Sequence, residues 1–168
     1  MKQLRDKDCI TIAGGVRGRQ RLIELTTQGR ARTGFGVPIL GEIPAGPLAE
    51  AIQECDEWLD GFGPLLKARP GDFGLRVKGY SMIGDGIMPG DKVLLRPGIA
   101  WRSGEIVAAQ IHGDDESSYE GTLKHVDLIN NGKTVRLRAS NPDYSDMEFD
   151  ARQVSIAGVF RGLVRTVD

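Results

Sequence analysis

Cysteine and excess charge are both scarce in this chain, and each shortage closes off a class of function. Cys9 and Cys55 are the only two cysteines, far apart and in no CxxC pair, so neither a disulfide scaffold nor a thiolate metal site is expected. No metal and no cofactor is assigned. The formal net charge of -1 lacks the basic excess of a chain that binds nucleic acid over its whole surface, so any DNA contact must be local. No stretch approaches the ~20 apolar residues of a membrane span, and no apolar signal segment follows the charged start MKQLRDKDC. A cytoplasmic protein without membrane contact is the expectation.

What the chain has in quantity is glycine, 23 of 168 residues, well above the ~7% background, which calls for many tight turns. Hydrophobic content of 40% with 27% charged residues is that of a folding, globular sequence. The length suits one main domain in the common range of ~100–150 residues, with an appendage.

The N-terminal segments CITIA, GGVRGRQR and LIELT read as a strand, a basic glycine-containing turn and a return strand, preceded by the end of a helix. This resembles the wing of a winged helix-turn-helix. Residues 1–25 are therefore expected to be the C-terminal remnant of a DNA-binding domain, with Arg17, Arg19 and Arg21 as candidate DNA contacts at its tip. A plain hairpin with a solvated basic tip is the other reading. No recognition helix is encoded after Met1, so a fragment lacking that helix is expected. The run TTQGRARTGFGV has no hydrophobic period and suits a linker over residues 26–37.

From residue 38 to 168 the texture is mainly β, short apolar runs broken by Gly, Pro and Asn. Strands are expected over 73–78, 91–96, 105–111, 119–129, 134–139 and 155–165. In VDLINNGKTVRLR, Asn131-Gly132 suits a two-residue hairpin turn, and Val135 and Leu137 alternate with polar neighbours as in a strand with one face buried. Helical periodicity is confined to residues 48–59.

The most informative segment is LRVKGYSMIGDGIMPGDKVLL. A strand runs into a glycine-rich loop holding Ser81, then into a Met-Pro-Gly-Asp turn and a second strand. A serine among small residues at a strand end is accessible. Asp85 and Asp91 flank glycines and are expected to serve turns.

In residues and spacing GYSMIGDGIMPGD resembles the nucleophile loop of the LexA and UmuD family of self-cleaving proteins, with Ser81 at the nucleophile. That family takes its base from a lysine in a Thr-x-Lys-Arg run about forty residues later. Gly121-Thr122-Leu123-Lys124-His125-Val126 matches, with Lys124 as the base and His125 departing from the usual arginine. The family also keeps an Ala–Gly or Cys–Gly bond upstream, and VPILGEIPAGPLAEA places Ala45-Gly46 thirty-five positions before Ser81. The resemblance covers roughly residues 37–165. It implies a LexA- and signal-peptidase-like β-rich fold and a serine endopeptidase acting on Ala45-Gly46. It also implies an oxyanion hole from the N–H groups of Tyr80 and Ser81.

The chemistry imposes a condition of its own. A serine hydroxyl needs a nearby base, and at a reference pKa of ~10.4 only about one lysine in 2500 is neutral at pH 7. That deficit is equivalent to roughly 4–5 kcal/mol, and burial, which shifts lysines by up to ~3–5 units, is what can remove it. Lys124 must then point inward from its strand, with Thr122 on the same face and His125 opposite. Pro44 and Pro47 stiffen the segment to be cut, and Gly79 is expected to allow a close backbone approach.

A Ser-His-Asp triad using His112 or His125 has no support in their surroundings. By resemblance, the partner is the RecA filament on single-stranded DNA, acting as co-protease. The chain is then a repressor of the SOS response to DNA damage that works as a homodimer, binding operator DNA only with a complete helix-turn-helix. The run 156–164 is a candidate dimer-forming strand and equally a core strand. Two other readings stand beside this one: a UmuD-like accessory subunit of an error-prone polymerase, with a short arm and no wing, and a non-enzymatic dimerisation module.

Overall fold

The computed structural model describes residues 9–13, 22–26, 29, 36–41, 43, 51–52, 55–60, 65–113 and 119–166. The fold is mainly β, as expected. Strands β1 (Ile10–Ala13) and β2 (Leu22–Leu25) pair antiparallel, from Ile10 opposite Leu25 to Ala13 opposite Leu22, and form a two-stranded sheet of their own. Arg17, Arg19 and Arg21, between them, lie outside the described residues.

The remaining strands are β3 (Gly36–Leu40), β4 (Trp58–Asp60), β5 (Phe73–Arg76), β6 (Lys92–Arg96), β7 (Ile106–His112), β8 (Tyr119–Ile129), β9 (Thr134–Arg138), β10 (Met147–Asp150) and β11 (Val154–Val164). They make one sheet in the order β10-β9-β8-β7-β11-β6-β5-β3-β4. Every pairing is antiparallel except β3 with β5. Gly36 and Val37, read above as the end of the linker, open β3.

All six expected strands are present within two residues at either end. β11 joins the halves of the sheet as a core strand, pairing first with β7 and then with β6, with register shifts near Gly158 and Gly162. Two of the three hydrophobic clusters among the described residues follow from this path. One, around Phe73, Leu95 and Ala108, also receives Met82 and Ile87 from the Ser81 loop; the other gathers Val107, Val126 and Leu137. Burying a side chain of this size contributes about 1.5–3 kcal/mol, so Met82 and Ile87 anchor the loop on either side of its exposed centre.

Two expectations need correction. The hairpin loop between β8 and β9 has four residues, since Ile129 opposes Thr134, and the left-handed backbone covers Asn130, Asn131 and Gly132 at φ 53°, 54° and 84°. Asparagine tolerates this conformation, and Asn130 Nδ2 donates to Thr134 Oγ1 at 3.1 Å. The helix expected over 48–59 does not extend to its end. Ala51 and Ile52 are helical, 48–50 and 53–54 lie outside the described residues, and Trp58 and Leu59 belong to β4. Pairing of Trp58 with Pro38 and Leu59 with Val37 overrides the local periodicity there.

Candidate active site

The loop that carries Ser81 is closed at its neck by the backbone. Val77 N–H donates to Asp91 O at 2.8 Å and Gly90 N–H to Val77 O at 3.0 Å. Asp91 serves a turn as expected, its Oδ2 accepting the Met88 N–H at 2.8 Å, and it does more. Only 1% exposed, it receives both arms of Arg165 at 2.7 Å each, and this guanidinium holds its carboxyl below the usual carboxylate range. Gly79 is needed for a different reason from the one expected. A Cβ there would meet nothing within 4 Å, but its φ of 76° lies in the left-handed region.

Ser81 and Lys124 come together in a cleft of about 610 Å³, which Tyr80, Glu120, Thr122 and Tyr144 also line. Lys124 Nζ lies 2.8 Å from Ser81 Oγ. The amine donates to Thr122 Oγ1 at 2.9 Å and to Leu123 O at 3.2 Å. A neutral amine has two N–H groups and one lone pair, and this geometry has an acceptor for each N–H and a hydroxyl for the lone pair. Lys124 is 7% exposed, and burial pushes its pKa down from the ordinary lysine value while the negative charge of Glu120 pulls the other way. The alternation expected along β8 is observed: Thr122 shares the cleft face and His125 faces away.

The other half of the expected chemistry, Ala45 and Gly46, lies outside the described residues. Ile43, just upstream, is described and buried, and it lines the same cleft as Ser81.

A model of the peptidase S24-like family matches residues 38–161. The chain is 37% identical to a LexA repressor of Deinococcus radiodurans over 84% of its own length and 65% of that protein's. It is 37% identical to one of Thermotoga neapolitana, over 89% of this chain and 70% of that one, and 34% identical to one of Shewanella pealeana over 100% and 77%. This chain belongs to the LexA family. It spans just under two thirds of the length of the Deinococcus relative.

Within this LexA-family site, two polar groupings carry no signal in the sequence. His125 bonds to Gly104 O through Nδ1 and to Asp85 Oδ2 through Nε2, both at 2.8 Å, so Asp85 reaches across to β8 besides sitting in its own turn. The segment around Asn141 grips the backbone of Tyr80 and Ser81. Neither histidine forms a triad: His125 faces away from Ser81, and His112 Nε2 is 2.9 Å from Ser155 Oγ, whose proton goes to Gln110 Oε1 at 2.8 Å. Among the described residues no helix is long and apolar enough to cross a membrane.

Proposed function

We propose that this chain is a LexA-like repressor of the SOS response, inactivated when it cuts its own Ala45-Gly46 bond with a Ser81/Lys124 dyad. In this reading Lys124, neutral because it is buried, takes the proton of Ser81 Oγ as that oxygen attacks the Ala45 carbonyl. The N–H groups of Tyr80 and Ser81 hold the developing oxyanion, and the Gly46 amine leaves with a proton returned by Lys124. Water then releases the acyl group from Ser81.

The observation that carries the reading is the 2.8 Å approach of a desolvated lysine amine to a serine hydroxyl in a cleft. The geometry is available before any partner arrives, so control falls on the substrate segment. Its exchange between exposed and docked positions scales the rate by the docked fraction, and a RecA filament on single-stranded DNA accelerates cutting by favouring the docked one. The β1–β2 hairpin fits a wing, and so favours a repressor over a UmuD-like accessory subunit with a short arm. Homodimeric operator binding by the complete protein, in the cytoplasm, belongs to the same proposal.

The test is to incubate the purified chain at pH 7 and pH 10 and read fragment masses. Scission at Ala45-Gly46 should be faster at pH 10, and RecA filaments should speed it at pH 7. Ser81→Ala and Lys124→Ala should stay intact under both conditions. Variants cut as fast as the parent would exclude the dyad.

A further inference from the structure

The turn after β9 does an unusual amount of work on the backbone of the Ser81 loop. Ser140 N–H and Asn141 N–H both donate to Ser81 O at 3.0 Å, and Asn141 Nδ2 donates to Tyr80 O at 3.1 Å. The Asn141 amide is fixed in this sense because its Oδ1 accepts the Asp143 N–H at 3.0 Å, leaving only the Nδ2 end for a carbonyl. Asn141 is 5% exposed, so its side chain has been taken out of water in order to make these two bonds.

The consequence lies in the planarity of the peptide unit. In a trans peptide the carbonyl oxygen and the following N–H point in opposite directions, and among the described residues no peptide bond is cis. Holding Tyr80 O toward Asn141 therefore aims the Ser81 N–H the other way, away from the turn. Among the described residues neither the Tyr80 nor the Ser81 N–H has a hydrogen-bond acceptor, and both residues line the cleft that contains Lys124 Nζ. The other bond within reach of Tyr80 O, from the Ile83 N–H, is long at 3.4 Å and is a weak restraint by itself.

We propose that Asn141 is a positioning residue for the oxyanion hole. Its amide locks the Tyr80–Ser81 peptide plane so that the Ser81 N–H is already directed at the place where the negative oxygen develops. It is not among the hydrogen-bond partners of Lys124; it acts through the peptide it holds. This rests on the peptidase reading of the site and assigns to it a residue 60 positions beyond the nucleophile. The device suits electrostatic catalysis, in which a donor contributes because it is oriented before charge appears.

The test uses the full chain and the pH profile of its first-order self-cleavage. The midpoint of that profile reports Lys124, whereas the plateau at high pH reports what happens once Lys124 is neutral. In Asn141→Ala the plateau should fall by about 10- to 100-fold, less than the ~100- to 1000-fold of deleting an oxyanion donor because the Ser81 N–H is loosened and not removed, while the midpoint stays in place. Phosphonylation of Ser81 by a small fluorophosphonate, in which Oγ displaces fluoride from phosphorus without any docking of the cleavage segment, should slow in the same proportion. Asn141→Asp, the same size and able to keep the bond from Asp143 but unable to donate to Tyr80, should show the same loss of plateau and covers the case in which the alanine variant does not fold.

A plateau within about threefold of the parent in the folded variants overturns the proposal. So does an upward move of the midpoint in Asn141→Ala with a normal plateau, since Asn141 would then be acting on the burial of Lys124. Scission of Ser81→Ala at the parental rate has a different meaning: it removes the peptidase reading itself.

Discussion

His125 Nε2 and Asp85 Oδ2 lie 2.8 Å apart, joining the strand that carries Lys124 to the loop that carries Ser81. Nδ1 of the same ring bonds to Gly104 O at 2.8 Å. The pair is a brace between β8 and the Ser81 loop, placed behind Lys124 on the opposite face of β8. His125→Ala should cost about 1–2 kcal/mol of stability, the scale of a partly exposed charge-assisted hydrogen bond, and should slow self-cleavage at its high-pH plateau. Asp85→Asn should lose part of the same amount. Denaturant midpoints and cleavage rates measured on the same samples check both.

The depressed pKa of Lys124 has a signature in stability as well as in rate. Its proton is held more weakly in the folded chain than in the unfolded one, so the unfolded state binds more protons in the window between the two values. Stability attributable to this group therefore rises with pH from its lowered folded value up to ~10.4, where the unfolded lysine also loses its proton. Below that window the fold carries the full cost of a buried ammonium. Lys124→Met removes the group, so its advantage over Ser81→Ala, which retains the lysine, should shrink as pH rises. Urea denaturation at pH 7 and pH 10 measures this difference.

The Asp91–Arg165 pair has the same sign of pH dependence in a much lower window. Asp91 is held below its ordinary pKa, chiefly by the hydrogen bonds from Arg165, so its contribution is present above ~3.9 and is lost as pH falls through the folded value. Arg165→Met should cost about 2–3 kcal/mol near neutral pH, toward the low side for a broken ion pair because the arginine is itself half exposed. The loss should be largest at neutral pH and should diminish in acid, read as the difference between the two unfolding curves.

Gly84 is a steric contact point. A Cβ there would sit 2.1 Å from Ser140 O, a backbone atom that cannot swing aside. Gly84→Ala should push the Ser81 loop away from the 140–141 turn, loosen the grip on Tyr80 and Ser81, and lower the cleavage plateau by at least about tenfold. Amide exchange should become faster at residues 81–86.

The parts of this molecule visible in its sequence are those with a local period or a fixed spacing. The alternation of Val135 and Leu137 gave β9, and Ser81 and Lys124 were picked out by the resemblance of their two segments to the LexA and UmuD family and lie within hydrogen-bond distance. β3 was hidden because a proline interrupts a four-residue apolar run, and prolines are read as breaking strands. Pro38 is accommodated because β3 pairs with β5 only through Ile39 and Leu40. β4 was hidden behind a helical pattern that only its partner strand overrules. β10 offered four residues, Met-Glu-Phe-Asp, too few for alternation to stand out. Asn141 and the Asp85–His125 bridge have no sequence signal because they work through contacts 61 and 40 residues apart.

β3 stands upstream of Ala45-Gly46, yet both strands that flank it, β4 and β5, come downstream. Severing the backbone between them would leave the upstream piece clasped, with Val37, Ile39 and Leu40 still seated in the interior. Cutting and parting are then separate events, and the lifetime of the nicked molecule is set by how quickly one short strand peels out of its slot.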